Sequence, residues 1–380
     1  MDFDFSEEQE LLRHSLTRFA ADRYGLDKRR HYLASELGYS RDNWRLLAEL
    51  GMLGLTIPEE YGGMGLGEIE RYLVMEQFGR CLLTEPYLAS AVLAADLLLA
   101  ADSEAKHVDN WLPRIAAGEA VVAAALAEPE ARYERCHVGL RAQADGQAFR
   151  LTERKCAVLY AEHADALIVS ARSSGGVAAE DGISLFLVPP AAPGLSMRPY
   201  RLADGTPVAD IIFDNVLVGE DALIGTPGTA YPALSLALDK CDLALSASAI
   251  GAMRAIFDAT LAYVQTRQQF GRKIGSFQAV QHRLADALVR IEMAESLALR
   301  LLAEEPAEGT AHRRLRAGLR ALVAETAIEI GHEGIQLHGG MGMTDELDVS
   351  HYHKHIMVVR SLFGDPDHHW RRYATLARAA

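Results

Sequence analysis

Apolar residues recur at helical spacing through residues 1–120, give way to short β-rich runs over 121–226, and return to helical spacing over 227–380. Ser6 followed by Gln9 is a capping-box pattern, and it opens a helix carrying Leu11, Leu12, Leu16 and Phe19 at helical spacing. Leu73 to Phe78 and Leu88 to Leu99 are further apolar stretches of good helix formers with few breakers. Between the first helix and these stretches, Gly51 to Gly67 is rich in glycine and reads as a turn region between helices. A phosphate-cradling loop would need a following Lys-Ser/Thr, or a GxGxxG opening a helix, and the segment has neither.

In the middle third, Ala166–Ser170, Ile183–Val188 and Ile211–Phe213 are short β-rich runs punctuated by Pro189-Pro190, Pro193-Gly194 and Asp204-Gly205. Regular short strands with such punctuation predict a small antiparallel barrel or sandwich. Beyond it, residues 229–265, 276–303 and 309–338 are mostly Ala, Leu, Arg, Glu and Ile. Helices of that length with short connections favour an antiparallel bundle. The expected fold is mainly α with a small β domain: an N-terminal helical domain, a middle β domain and a C-terminal helical bundle.

A chain of 380 residues is long enough for two or three packed units, and 49% hydrophobic with 24% charged residues is ordinary globular composition. The net charge of −14 disfavours nucleic acid and anionic membranes, which call for a basic footprint. Cys81, Cys136, Cys156 and Cys241 stand far apart without a CxxC pair, which suits a reducing compartment and argues against a zinc cage or a disulfide framework. The start Met1-Asp2-Phe3-Asp4-Phe5 lacks the basic-then-apolar order of a secretory signal. No apolar run reaches the roughly 18–20 residues of a membrane span. The resulting expectation is a soluble cytoplasmic protein. His351 and His355 share a helical face, but no glutamate completes an HExxH pattern, so His351, His353 and His355 read as packing or polar contacts and no metal is expected.

Several collinear motifs covering nearly the whole chain resemble those of the acyl-CoA dehydrogenase flavoprotein family. They are Tyr263-x-x-x-Arg267-x-Gln269-Phe270-Gly271 followed by Ile274, Phe277-Gln278 and Leu284-Ala285-Asp286, then Gln336-Leu-His-Gly339-Gly340-Met-Gly342 with Glu346 further on. Gly54 to Gly63, Leu126-Ala-Glu128-Pro129 and Phe213 to Val218 with Leu223-Ile-Gly225 fit as well. The resemblance implies an N-terminal helical domain, a middle β-barrel and a C-terminal four-helix bundle. It also implies FAD, an acyl-CoA substrate, and α,β-desaturation in which a buried glutamate takes the α proton while a hydride passes to the flavin. Physical chemistry gives the motif residues work: Arg267 offers a fork to a pyrophosphate, Phe270 an aromatic face, Gln269 and Gln278 hydrogen bonds, and Gly339 and Gly340 close backbone approach. In the family such positions, with Gln336, reach the cofactor of a neighbouring subunit, so an oligomer is implied. Without that context Arg267 reads as a loop charge and Phe270 as a core residue.

The chain departs from the family pattern where the chemistry is centred. The usual glutamate position holds Phe363, which cannot accept a proton, and the alternative position on the first bundle helix holds Cys241, followed by Asp242 where an arginine is usual. A thiol without assistance is mostly protonated at neutral pH. Asp239, Asp242 and Asp365 remain as carboxylates, although helical aspartates are more often solvated surface groups. On the flavin-ring side, Ala127 stands at a threonine position, Arg132-Tyr133-Glu134 replaces Gly-Ser-Asp, and Lys155-Cys-Ala157-Val-Leu159-Tyr160 replaces Lys-x-Trp-Ile-Thr-Asn. Both hydroxyls and the aromatic wall are lost, and the bulky Tyr133 and Tyr160 favour a filled pocket. The leading reading is the base-less subunit of an α2β2 enzyme, lending its half-site to a homologous partner, and the chain is similar to small subunits of pimeloyl-CoA-type and steroid-CoA-type dehydrogenases. An electron-transfer-flavoprotein-type acceptor is compatible with it. The alternatives are a self-sufficient homomer using an unusual base such as Asp242, and a non-catalytic binding or scaffold homologue.

Overall fold

The computed structural model describes residues 5–102, 106–304 and 309–378, so the first four residues of the acidic start read above lie outside it. α1 (Glu7–Arg23) opens on the expected capping box: Gln9 N–H donates to Ser6 Oγ at 3.2 Å, and Ser6 N–H donates to Gln9 Oε1 at 2.9 Å. Leu16 and Phe19 are buried, but Leu11 is 65% exposed. At roughly 100° per residue Leu12, Leu16 and Phe19 share one stripe and Leu11 falls off it. α2 (Leu26–Ala34) and α3 (Arg41–Glu49) follow, the latter capped by Ser40. The glycine-rich stretch forms two 3-10 turns, Met52–Gly54 and Glu59–Tyr61, before α4 (Glu68–Cys81). The apolar run from Leu88 is π-helical over Tyr87–Ala94 and continues into α5 (Ala95–Ala101), with α6 (Val108–Ala116) after it.

The chain gathers into two compact units: Tyr32–Gly67 with Thr84–Cys241, and Met1–His31 with Glu68–Leu83 and Asp242–Ala380. The first is built on a sheet of β1 (Val122–Ala125), β2 (Arg141–Asp145), β3 (Ala148–Leu159), β4 (Ala166–Arg172), β5 (Ile183–Val188), β6 (Leu195–Arg201), β7 (Pro207–Gly219) and β8 (Leu223–Ile224). The order is β6-β7-β3-β2-β4-β5-β8, with β1 also paired to β4. Most ladders are antiparallel as expected, but β1–β4 and β2–β4 are parallel. The hairpin of β2 and β3 lies between β1 and β4 in sequence, which gives the long crossover a parallel pair requires. Leu140, Leu151, Val158, Leu167, Val169, Phe186, Ile211 and Phe213 form its apolar centre. Arg172 is buried in the same unit, where its guanidinium donates to the carbonyls of Cys136, Val138, Val177, Ala179 and Asp181 at 2.7–3.3 Å.

The second unit packs α1 and α4 with the later helices: α7 (Tyr231–Thr266) from Asp242 onward, α8 (Gln278–Ala303), α9 (Thr310–His338), α10 (Asp348–Val359) and α11 (Pro366–Arg378). α4 and α7 cross backbone against backbone. A Cβ at Gly79 would stand 1.9 Å from the Ser248 carbonyl oxygen, and one at Gly251 would stand 1.9 Å from that of Glu76. α9 approaches α7 almost as closely at Gly334, where a Cβ would lie 2.5 Å from Ile256 Cγ2. Between α7 and α8 sits a short hairpin of β9 (Gln268–Gln269) and β10 (Arg272–Lys273). Among the described residues no helix is long and apolar enough to cross a membrane.

Candidate functional site

Arg267, Gln269, Phe270, Gln278, Gln336, Gly339 and Gly340 all come out on the surface of their unit. Phe270 and Gly271 form the two-residue loop of the β9–β10 hairpin with φ of +54° and +75°, the pattern of a type I′ turn. Gly271 takes that conformation freely, whereas for Phe270 it costs roughly 1–2 kcal/mol. Phe270 is nevertheless 91% exposed, which overturns the reading of this side chain as core. Its ring meets Phe277 edge-on at 6.2 Å, and the Arg272 guanidinium lies over Phe277 at 3.9 Å. Arg267, Gln269 and Gln278 are exposed beside it, Gln278 as the first residue of α8.

A second arm comes from the end of α9. Gln336 is exposed on its last turn; Gly339 closes the helix at φ +63°, and Gly340 follows. A Cβ at either glycine would meet nothing within 4 Å, so packing inside this unit does not account for a missing side chain at 340. Met341 and Met343 next to them are 43% and 71% exposed. The two arms meet through Tyr263, one turn before Arg267, whose ring stacks on His338 at 4.3 Å and 26°. His338 is itself held by Nδ1 against the Gly334 carbonyl oxygen at 2.8 Å. In the sequence Tyr263 and His338 are motif letters with no evident role, and Arg272 and Phe277 give no sign of bracing Phe270. Nothing local in the sequence announces such tertiary contacts.

The positions weighed for a base are all engaged in structure. Cys241 is fully buried in α7. Asp242, 1% exposed, has Arg320 and Arg372 nitrogens 3.7 Å from its carboxylate and His369 Nε2 at 3.8 Å. Asp239 pairs with Arg135 at 2.6 Å, both nearly covered. Asp365 accepts from the His368 N–H at 2.8 Å, capping α11. Phe363 is half-buried at φ +57° and is followed by Gly364 at φ +147°, where a Cβ would come within 2.4 Å of His369 Nε2. The three histidines of α10 go to separate neighbours: His351 Nε2 to the Asp345 carbonyl oxygen, His355 Nε2 to Ser248 Oγ, and His353 beside His332.

In the sheet unit, the stretch 155–160, which keeps the family's lysine at its start, turns inward. Lys155 is fully buried, and its Nζ donates to Glu128 Oε1 at 2.6 Å and Ser170 Oγ at 2.9 Å. Burial pushes the ammonium below its usual range, while Glu128 opposes that shift. Glu128 also accepts from the backbone N–H groups of Gly139 and Leu140. Ala157, at φ +51°, donates its N–H to Asp210 at 3.0 Å. Leu159 is buried. Tyr160, buried at φ +54°, donates its hydroxyl to the Thr84 carbonyl oxygen at 2.6 Å and meets Tyr39 edge-on. Tyr133 is half-buried and Ala127 offers no hydroxyl.

Family models for the acyl-CoA dehydrogenase N-terminal, middle and C-terminal domains match residues 6–119, 123–216 and 234–375. The mitochondrial isovaleryl-CoA dehydrogenase of Pongo abelii is 31% identical over 355 residues, covering 91% of this chain and 83% of that protein. Among solved structures, a variant of the steroid acyl-CoA dehydrogenase Tcur3481-Tcur3483 is 27% identical, with a TM-score of 0.87 over 98% of both chains. The ChsE4-ChsE5 complex from Mycobacterium tuberculosis is 25% identical, with a TM-score of 0.88 over the whole of both. On sequence, domain order and fold together, the chain belongs to the acyl-CoA dehydrogenase family of FAD-dependent oxidoreductases.

Proposed function

We propose that this chain is the base-less subunit of a heteromeric acyl-CoA dehydrogenase, lending Arg267, Gln269, Phe270, Gln278, Gln336, Gly339 and Gly340 to an FAD whose ring is housed by a homologous partner. The observation that carries the reading is the strained, 91% exposed Phe270 at the tip of the β9–β10 hairpin. An aromatic held in that state against its own preference supports a ligand from outside the unit.

The residues fit half of a flavin dinucleotide. Arg267 supplies a fixed cation suited to a pyrophosphate, Phe270 a ring face, and the three glutamines supply donors and acceptors. The open volume at Gly339 and Gly340 leaves their backbone accessible. When bound, FAD supplies the hydride acceptor for α,β-desaturation of an acyl-CoA thioester. This chain's residues then bind and orient its dinucleotide portion and exclude water from it. They move no proton: Phe363 and Cys241 stand at the base positions, and Asp242 serves as the shared counter-ion of two arginines. Those ion pairs tie Asp242 inside the fold, which supports a partner-supplied base over Asp242. The burial of Leu159 at the threonine position and the inward tie of Tyr160 at the asparagine position support a ring side that is not used. The pairings Tcur3481-Tcur3483 and ChsE4-ChsE5 among similar structures support a two-chain assembly. A cytoplasmic setting, an acyl-CoA substrate and an electron-transfer-flavoprotein-type acceptor belong to the same reading.

The test is the flavin absorbance and native mass of the chain expressed alone and with its homologous partner. Colourless protein alone, and about one flavin per two chains in the complex, is the expected result. A yellow homomer with one flavin per chain and full turnover overturns it.

A further inference from the structure

The two arms of the half-site lie about seventy residues apart in sequence, and each hangs from the end of a different helix. α7 delivers Arg267 and the hairpin; α9 delivers Gln336, Gly339 and Gly340. The helices approach closely one turn earlier, at Gly334 against Ile256, with Thr260 Oγ1 3.5 Å from where a Gly334 Cβ would sit. Beyond that point, what joins their ends is the Tyr263–His338 stack at 4.3 Å. Each partner is fastened to its own arm. The Tyr263 carbonyl oxygen accepts from the Arg267 N–H at 2.8 Å, and the Arg267 carbonyl oxygen in turn accepts from Ile274 N–H at 2.9 Å, closing the hairpin base. His338 immediately precedes Gly339, and its ring is oriented by the Gly334 carbonyl oxygen. The stack therefore ties one arm to the other.

We propose that Tyr263 and His338 are positioning residues for FAD: their stack sets the spacing between the arginine–phenylalanine arm and the glutamine–glycine arm, without either ring touching the cofactor. This rests on the reading that the exposed face receives FAD. The functional pair is the two rings in face contact, so the hydroxyl of Tyr263 is dispensable and its ring is not.

The experiment uses the assembled protein with its partner, stripped of flavin and titrated with FAD by fluorescence, together with its thermal unfolding midpoint without flavin. Tyr263→Phe is expected to bind FAD within about twofold of wild type, and Tyr263→Leu to raise the dissociation constant about tenfold, the size expected for a lost aromatic pair. A lowered midpoint in Tyr263→Leu with unchanged FAD affinity gives the stack a structural role alone and overturns the proposal. Should Tyr263→Leu not assemble, His338→Gln removes the stack from the other side and is judged by the same two results. Arg267→Ala separates the premises: if it too leaves FAD affinity unchanged, the exposed face is not the cofactor site and the underlying reading falls.

Discussion

The β9–β10 hairpin and the 155–160 stretch are both motif segments of one family, and they handle their side chains in opposite ways. At the hairpin, Gln269 and Phe270 project from the unit, as does Arg267 just before it, and Phe270 is held at positive φ. In 155–160, Lys155 and Tyr160 point inward, and each has its polar atoms matched by Glu128, Ser170 or the Thr84 carbonyl. Tyr160 and Ala157 also sit at positive φ, so strain alone does not mark a binding segment. What separates the two is where the polar groups find partners. An inward group with a partner is accounted for by stability, whereas a large aromatic left in solvent on a strained turn, as Phe270 is, gains little from its own unit.

Lys155→Met challenges the inward half most strongly. Leaving Glu128 charged and buried is expected to cost roughly 3–5 kcal/mol in urea unfolding, with the Lys155→Met/Glu128→Gln double variant, which removes the charge and keeps an acceptor for the Gly139 and Leu140 N–H groups, recovering much of it. FAD binding by the assembled complex, measured where the variant is folded, is expected to stay at wild type; a loss would return this segment to the cofactor site. Phe270→Asn probes the outward half with a smaller effect of opposite sign. Asparagine tolerates the left-handed turn, so stability is expected to rise by about 0.5–1 kcal/mol while FAD affinity falls. A variant less stable than wild type would make Phe270 a packing residue after all.

The smallest effect comes from neither segment. Glu76 on α4 has its carboxyl pushed above the usual range, by burial first and by Glu295 second. Its folded form holds the proton more tightly than the unfolded form. Its stabilising contribution is therefore complete below the unfolded carboxylate range near 4.5 and is lost as pH rises through the folded value. Glu76→Gln is expected to gain on wild type in unfolding midpoint as pH rises from the unfolded carboxylate range to neutrality, and a constant difference across that interval would refute the assignment.

Much of the architecture was legible because it is written locally. The Ser6–Gln9 box, the long periods of α7 to α9 and the punctuated runs at 166 and 183 each fix an element by short-range chemistry. Alternation carries no direction, so the parallel pairing of β1 with β4 was not readable, and neither was the π-helical turn at Tyr87–Ala94. At the site, Arg267 and Phe270 stood out only through family likeness, since a lone aromatic ordinarily predicts burial. Partners distant in sequence, such as Tyr263 with His338 or Asp242 with Arg320 and Arg372, emerge only once helices are packed.

The glycine crossing of α4 and α7 bears on how the chain is made. Gly79 and Gly251 are 172 residues apart, yet each lies against the other helix's carbonyl row. At roughly 5–20 residues per second, α4 leaves the ribosome roughly 10–30 s before its counterpart exists. Meanwhile the sheet unit, complete by Cys241, can fold. Until then α4, whose Tyr72, Leu73, Val74 and Phe78 are buried in the finished protein, lacks the α7 part of its cover. Nascent chains stalled before residue 251 should therefore be the ones that engage chaperones, and release should coincide with emergence of α7.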